Sequence, residues 1–273
     1  MDILYKIEHF DNNGMKYDLI LHRFLQNQLL LNNKMKKFFL SIAVVAMGIF
    51  VSCTQKEAAK NEADNSCKAA IDSVMSTLDK AVETPAEAIA RLKDGNARYV
   101  AETVVFPHHD HKRLAETAPH QNPFAAVVAC SDSRVPVELI FDQGIGDIFV
   151  IRTAGNNVNN DAVMGSVDYA IEHLGVKTVV VLGHESCGGV TGAIGEVKAD
   201  DESKIDELLS MIQADVKEYV GKADSLDAAI KLNAATQVKR INDRELVKKF
   251  VEAGKTQVVG AYYNVHDGSV VFN

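Results

Sequence analysis

The sequence predicts an α/β fold: a mainly parallel β-sheet flanked by helices, with an antiparallel C-terminal edge. Three observations carry that expectation. Residues 125–129 (AAVVA) and 178–182 (TVVVL) are short, Val-bearing apolar runs, the pattern of parallel strands buried on both faces. Each run breaks at its C-terminal end into polar, reactive residues, ACSDSR at 129–134 and GHESCGG at 183–189, and in open parallel sheets that edge is where sites form. Helical periodicity separates and follows the runs, as a layered α/β domain requires.

The chain has 273 residues, 47% of them hydrophobic, enough for one globular domain with appendages. Its net charge of −8 argues against a nucleic-acid partner, because phosphate binding calls for clustered Lys and Arg. Residues 1–34 read as a non-native extension ahead of a true start at Met35; the alternative is a cytoplasmic extension before a signal anchor. Met35-Lys36-Lys37 precedes an apolar run at 38–51 and then Ser52-Cys53, a basic region, a hydrophobic region and a small residue before a cysteine. That run is shorter than the roughly 18–20 residues of a membrane span. Residues 35–52 resemble a bacterial lipoprotein signal, with Phe50 where that pattern usually has Leu and Cys53 as the lipidation site. The expected location is the bacterial cell envelope, periplasmic or outer-membrane associated, with the lipid anchor as the only membrane contact. Residues 53–83, rich in Ala, Lys, Glu, Asp and Ser, read as a flexible tether, helical in part, with Cys67 exposed and inert, the alternative being an intermolecular disulfide.

The catalytic domain is expected over 84–273. Thr84 as N-cap, Pro85 at the first helical position and Glu87 at the third form a capping box for a helix to about Tyr99. A loop with His108, His109 and His111 follows, which reads as solvated or as an adventitious metal binder. Residues 147–151 are the second buried strand. A helix over 161–174 ends at Gly175, with His173 complementing its dipole. Helices over 202–219 and 225–241 are amphipathic and expected to serve core and interface packing. A last helix over 244–253 ends at Gly254, and strands at 256–262 and 269–272 form a hairpin around Asp267-Gly268.

If 130–134 stays extended, Cys130, Asp132 and Arg134 project to one side. His184 and Cys187 add an imidazole and a second thiolate. Two Cys and one His are a catalytic zinc set with the fourth position open, whereas a structural site closes with a fourth Cys or His. Asp132 can itself fill that position, so open and closed states both remain chemically available. As a free carboxylate, Asp132 can instead accept a hydrogen bond from a metal-held hydroxide, with Arg134 gripping it through two parallel bonds. The absence of Cys-x-x-Cys argues against thiol redox chemistry.

CSDSR followed by GHxxCGG resembles the β-class carbonic anhydrase family, and the similarity runs from about Pro85 to the end. AIARLKDGNARYV resembles the family's N-terminal helix, QNPFAAVVACSDSRVP its first strand and zinc loop, and GDIFVIRTAGN its second strand. GSVDYAIEHLGVKTVVVLGHESCGGV is similar to the helix, third strand and second zinc loop, and VVGAYYNVHDGSVVFN to the closing strands. The resemblance implies one Zn2+ per chain on Cys130, His184 and Cys187, and reversible hydration of CO2 to bicarbonate and a proton by zinc-bound hydroxide. It implies Gln121 as a hydrogen-bond partner of substrate, the Gly188 N–H as an anion contact, and Phe149, Ala154 and Tyr169 as the apolar lining. A homodimer or dimer-based tetramer is implied, with the pocket completed across the dimer interface. Arg152 matches the arginine of a bicarbonate-inhibited subgroup, but Val127 stands in the place of its tryptophan and the chain has no Trp, so an always-open site is expected. Two other readings compete: a hydrolase of another small electrophile such as carbon disulfide, and a non-catalytic, lipid-anchored zinc-binding or interaction protein. The presence of Asp132, Arg134 and all the ligands together weighs against the second.

Overall fold

A computed structural model describes residues 57–195 and 203–273. The segments expected as an extension (1–34) and a leader (35–52), and Cys53, the expected lipidation site, lie outside them, as does the side chain of Cys67. The chain divides into two compact units, Met1–Asp72 and Ser73–Asn273. Of the first, the described part is helical and forms the start of α1, Glu57–Leu78. Within the stretch expected as a tether, residues from Ser73 onward thus belong to the second unit, where Leu78 is buried.

Helix α2, Pro85–Val100, starts as its sequence dictates. Thr84 Oγ1 accepts the Glu87 N–H at 3.2 Å, and the Glu87 carboxylate accepts the Thr84 N–H at 2.9 Å, so two otherwise orphaned donors are satisfied reciprocally. Its buried positions, Ala88, Leu92, Gly95 and Asn96, recur at helical spacing and face the sheet. A short helix α3, His111–Thr117, is capped by Asp110 and buries no residue; with no apolar stripe it leaves no periodic signal. The loop before it is not simply solvated. His108 is largely buried, with Nδ1 2.7 Å from Asp147 and Nε2 3.0 Å from Asp79, which corrects the solvated reading for this residue, whereas His109 and His111 are exposed. The carboxylates occupy both ring nitrogens.

The remaining elements are β1 (Ala125–Ala129), α4 (Val137–Ile140), β2 (Ile148–Arg152), α5 (Asp161–Asp168), β3 (Thr178–His184), α6 (Gly188–Ile194), α7 (Ile205–Asp215), α8 (Leu226–Asn242), α9 (Glu245–Glu252), β4 (Gln257–Tyr263) and β5 (Val270–Phe272). The sheet runs β2-β1-β3-β4-β5, parallel except for β5, which pairs antiparallel with β4. Strands β1 and β3 are buried at every position because both faces are covered. Val127, Val180 and Leu182 pack with α2 and Phe141, while Val128, Val179 and Val181 pack with α5, α8 and α9. The period-2 alternation of side chains thus splits each apolar run between two cores. Helix α5 loosens into a π-turn at Tyr169–His173, where His173 lies with its ring centroid 4.7 Å from that of Tyr169, and Gly175 at φ 68° ends it.

Candidate metal centre

The sheet register builds the site. Ala129 pairs with Leu182, so Cys130, one residue past β1, stands opposite Gly183 and next to His184, the last residue of β3. After β3 the chain turns through Ser186 at φ 56° and returns Cys187 as the N-cap of α6. Ligand atoms of Cys130, His184 and Cys187 all lie within 4.8 Å of one another, and all three residues are buried. The two sulfurs are 4.0 Å apart.

The donor chemistry fits a zinc ion. His184 Nδ1 lies 2.9 Å from the Glu185 carbonyl oxygen; a carbonyl accepts only, so the ring proton sits on Nδ1. His184 Nε2 is then a bare lone pair, buried and without a hydrogen-bond partner, a costly arrangement that a metal resolves. A hydrogen bond from one thiol to the other holds Cys130 well below the usual thiol range and, with burial, pushes Cys187 up. The pair therefore parts with one proton readily and keeps the second, while the N–H groups of Gly189, Val190 and Gly155 favour thiolate. Two thiolates and one imidazole are a soft, tetrahedral-seeking set suited to Zn2+.

Residues 130–134 do not stay extended. The Val135 N–H bonds the Asp132 carbonyl at 3.0 Å, and the Asp132 side chain caps its own turn by accepting the Arg134 N–H at 2.9 Å; an Asx turn competes successfully with the strand. Arg134 therefore meets Asp132 by folding back, with Nε donating to Oδ1 at 2.9 Å and Nη2 to Oδ2 at 2.7 Å. These bonds hold the Asp132 carboxyl far below the usual carboxylate range, and its Oδ2 stands 4.0 Å from His184 Nε2. Arg134 Nη2 also donates to the Ser186 carbonyl at 3.1 Å, tying the two loops together.

The structure adds a residue whose contacts the sequence did not disclose. Arg152, at the end of β2, donates to the Cys130 carbonyl at 3.0 Å and to the Asp132 carbonyl at 2.5 Å, clamping the first zinc loop. Its signal in the sequence is positional: Arg152 pairs in register with Ala129.

The candidate pocket residues fall in two groups. Gly188 opens α6 directly after Cys187, and Ala154 opens the turn that carries Gly155, so both lie at the ligand end of the sheet. Phe149 and Tyr169 have ring centroids 6.0 Å apart, yet Phe149 is in register with Ala126, four residues before Cys130 and so roughly 13 Å down the strand. Gln121 is exposed on the loop ahead of β1. One chain does not bring these three to its own metal ligands.

Three ligands with an ionised carboxylate, rather than a fourth thiol, at the open side define a catalytic zinc centre on an α/β sheet, not a structural one. The profile of the carbonic anhydrase family matches residues 125–270. A carbonic anhydrase of Mycolicibacterium smegmatis is 38% identical over 192 residues, spanning 68% of this chain and 92% of that protein. Among solved structures, a Coccomyxa β-carbonic anhydrase in complex with acetazolamide is 25% identical, with a TM-score of 0.54 over 66% of this chain and 83% of its own. The fold also matches one of two tetrameric β-carbonic anhydrases of Sordaria macrospora, at 23% identity and a TM-score of 0.53 over 58% of this chain and 84% of that one. The chain belongs to the carbonic anhydrase family, in its β class.

Proposed function

We propose that the protein is a zinc-dependent carbonic anhydrase that interconverts CO2 and water with bicarbonate and a proton. The observation that carries this reading is the buried Cys130–His184–Cys187 set with an unpartnered His184 Nε2 beside an Asp132 already held by Arg134. Cys130, His184 and Cys187 would hold a zinc ion, which would supply an acidified water and so a hydroxide nucleophile at neutral pH. Asp132, kept ionised and held in place by Arg134, would accept a hydrogen bond from that nucleophile and so orient it toward the carbon of CO2. The Gly188 N–H at the start of α6 would bind the anionic product, and Ala154, with Phe149 and Tyr169 contributed across a subunit interface, would offer CO2 an apolar wall. The test is stopped-flow CO2 hydration by the zinc-loaded protein beside Asp132→Ala and Cys187→Ala. Fast hydration lost in both variants supports the reading; a folded, zinc-loaded protein without hydration overturns it.

The functional unit in this reading is a homodimer or a dimer-based tetramer. Among the described residues, strand β2 is an edge strand, paired with β1 alone, and carries the half-buried Phe149. A twofold axis beside β2 sets the start of one β2 against the end of the other. That operation carries Gln121, Phe149 and Tyr169 toward the partner's metal ligands. Light scattering coupled to gel filtration tests it: a monomer at working concentration with full activity contradicts the shared pocket.

A lipid anchor at Cys53 in the cell envelope is the location we propose, supported by the basic, apolar and small-residue succession at 35–52. No helix among the described residues is long and apolar enough to cross a membrane. Labelled palmitate incorporated by the wild type and lost in Cys53→Ser is the expected result; equal labelling, or none, contradicts it.

A further inference from the structure

Helix α8 was expected to pack with apolar residues, and it does at Ala229, Ile230, Ala234 and Ile241, yet the same helix buries Asn233 and Gln237 with no solvent exposure. Buried amides are costly unless every polar group finds a partner. Here the partners form a continuous line toward the metal centre. Asn233 Nδ2 donates to the Gly155 carbonyl at 2.8 Å, and Asn233 Oδ1 accepts from Gln237 Nε2 at 3.2 Å. Gln237 is fixed in turn: its Nε2 donates to Asp215 at 2.8 Å, and its Oε1 accepts from the Val158 N–H at 3.2 Å and from Arg240 at 2.6 Å. Arg240 and Asp215 close the line with an ion pair at 2.7 Å. At the other end, the Gly155 N–H donates to Cys130 Sγ at 3.3 Å.

Gly155 is confined from its other sides as well. Its backbone is left-handed, at φ 66°, and a Cβ there would stand 2.7 Å from Ile212 Cδ1; a Cβ on Gly189 would stand 3.2 Å from the Gly155 nitrogen. An N–H aimed at a metal-binding thiolate draws charge from the sulfur, weakening its donation and leaving the metal a stronger Lewis acid; such supporting partners tune both affinity and reactivity. We infer that Asn233 is a positioning residue for CO2 hydration: by holding Gly155 it keeps the Gly155 N–H on Cys130 Sγ and sets the donor strength of that ligand. The inference rests on the metal-centre reading above.

The test compares the full-length protein with Asn233→Ser and Asn233→Asp, each loaded with cobalt(II). Asn96→Ser serves as the control, since Asn96 is a buried amide that ties α2 to the 264–270 region through Gly268 and Val270, remote from the ligands in the hydrogen-bond network. Both Asn233 variants are expected to shift the thiolate-to-cobalt charge-transfer bands, because the N–H no longer draws charge from Cys130 Sγ, and to weaken zinc binding by about tenfold in chelator competition, because the turn that holds the ligand in place is released and this outweighs the gain in sulfur donation. Asn96→Ser is expected to lower the melting temperature while leaving bands and zinc affinity as in the parent. Asn233 variants with the parent's bands and affinity overturn the inference alone; a parent without thiolate bands overturns the metal centre and the inference with it. If the Asn233 variants do not fold, the 113Cd-loaded parent decides: a scalar coupling between cadmium and the Gly155 amide proton is expected, and its absence overturns the proposal.

Discussion

Arg134 binds Asp132 through three hydrogen bonds, from its backbone N–H and Nε to Oδ1 and from Nη2 to Oδ2. The planar fork of the guanidinium makes the two side-chain bonds parallel, which an ammonium cannot reproduce. Arg134→Lys is therefore expected to lower kcat/KM for CO2 hydration by about tenfold or more with zinc content unchanged. Metal analysis beside stopped-flow rates checks this, and an unchanged rate would remove Arg134 from the mechanism.

Metal removal should cost stability as well as activity. The ligand set forms only in the folded chain, so zinc at a thousandfold excess over its dissociation constant adds about 4 kcal/mol. Chelation is expected to lower the melting temperature and to make the buried Cys130 and Cys187 thiols reactive to alkylation. Thermal denaturation with and without chelator reads the first, and mass spectrometry of alkylated protein the second.

Gln121 is expected to serve the partner's zinc. Dissociating and re-mixing Gln121→Ala and Cys187→Ala chains should restore about a quarter of the wild-type rate, since about half of the dimers are mixed and each holds one complete site. No recovery over the unmixed variants would place Gln121 in its own chain's site.

Gly95 reverses the usual rule for a glycine in mid-helix. Alanine normally stabilises such a position by about 1 kcal/mol, but here a Cβ would fall 1.8 Å from the Phe141 carbonyl oxygen, a backbone atom that cannot swing aside. Gly95→Ala is expected to destabilise by about 3 kcal/mol, measured by urea unfolding of the zinc-loaded protein.

The capping box of α2 sets an acid limit on stability. Backbone N–H groups of Glu83 and then Thr84 hold the Glu87 carboxyl below its ordinary value of 4.5. A depressed folded-state pKa contributes stability that is present above the unfolded value and is lost as pH falls through the folded one. The gap in urea midpoint between wild type and Glu87→Ala is thus expected to be largest at neutral pH and to close below pH 4.5. A gap that persists in acid would assign the effect to packing instead.

Much of this was legible in the sequence, for identifiable reasons. Two-sided burial makes β1 and the body of β3 (179–182) apolar, so they announce themselves, and zinc chemistry restricts its donors to a few residue types that stand out at strand ends. The sequence pairs Asp132 with Arg134 but not in the observed geometry: strand alternation implies an extended chain, and the Asx turn at Asp132 replaces it. His108 lay hidden because a histidine held between Asp79 and Asp147 looks, in sequence, like any histidine in a polar loop. Asn233 and Gln237 lay hidden because periodicity counts apolar residues, and a polar residue on the apolar face registers as noise. Their spacing of four among buried neighbours was the available signal.

The pairing of Ala129 with Leu182 has a consequence for how the chain reaches its native state. Cys130 comes from one strand and His184 from its neighbour, so a one-residue slip between β1 and β3 would move the sulfur by about 3.3 Å and turn it to the opposite face. A misaligned sheet could still bury its valines, since both faces are apolar, but it could not close three donors around one ion. Zinc bound to the three donors would thereby proofread strand alignment, rewarding the single register that the hydrophobic pattern of two double-sided strands leaves underdetermined.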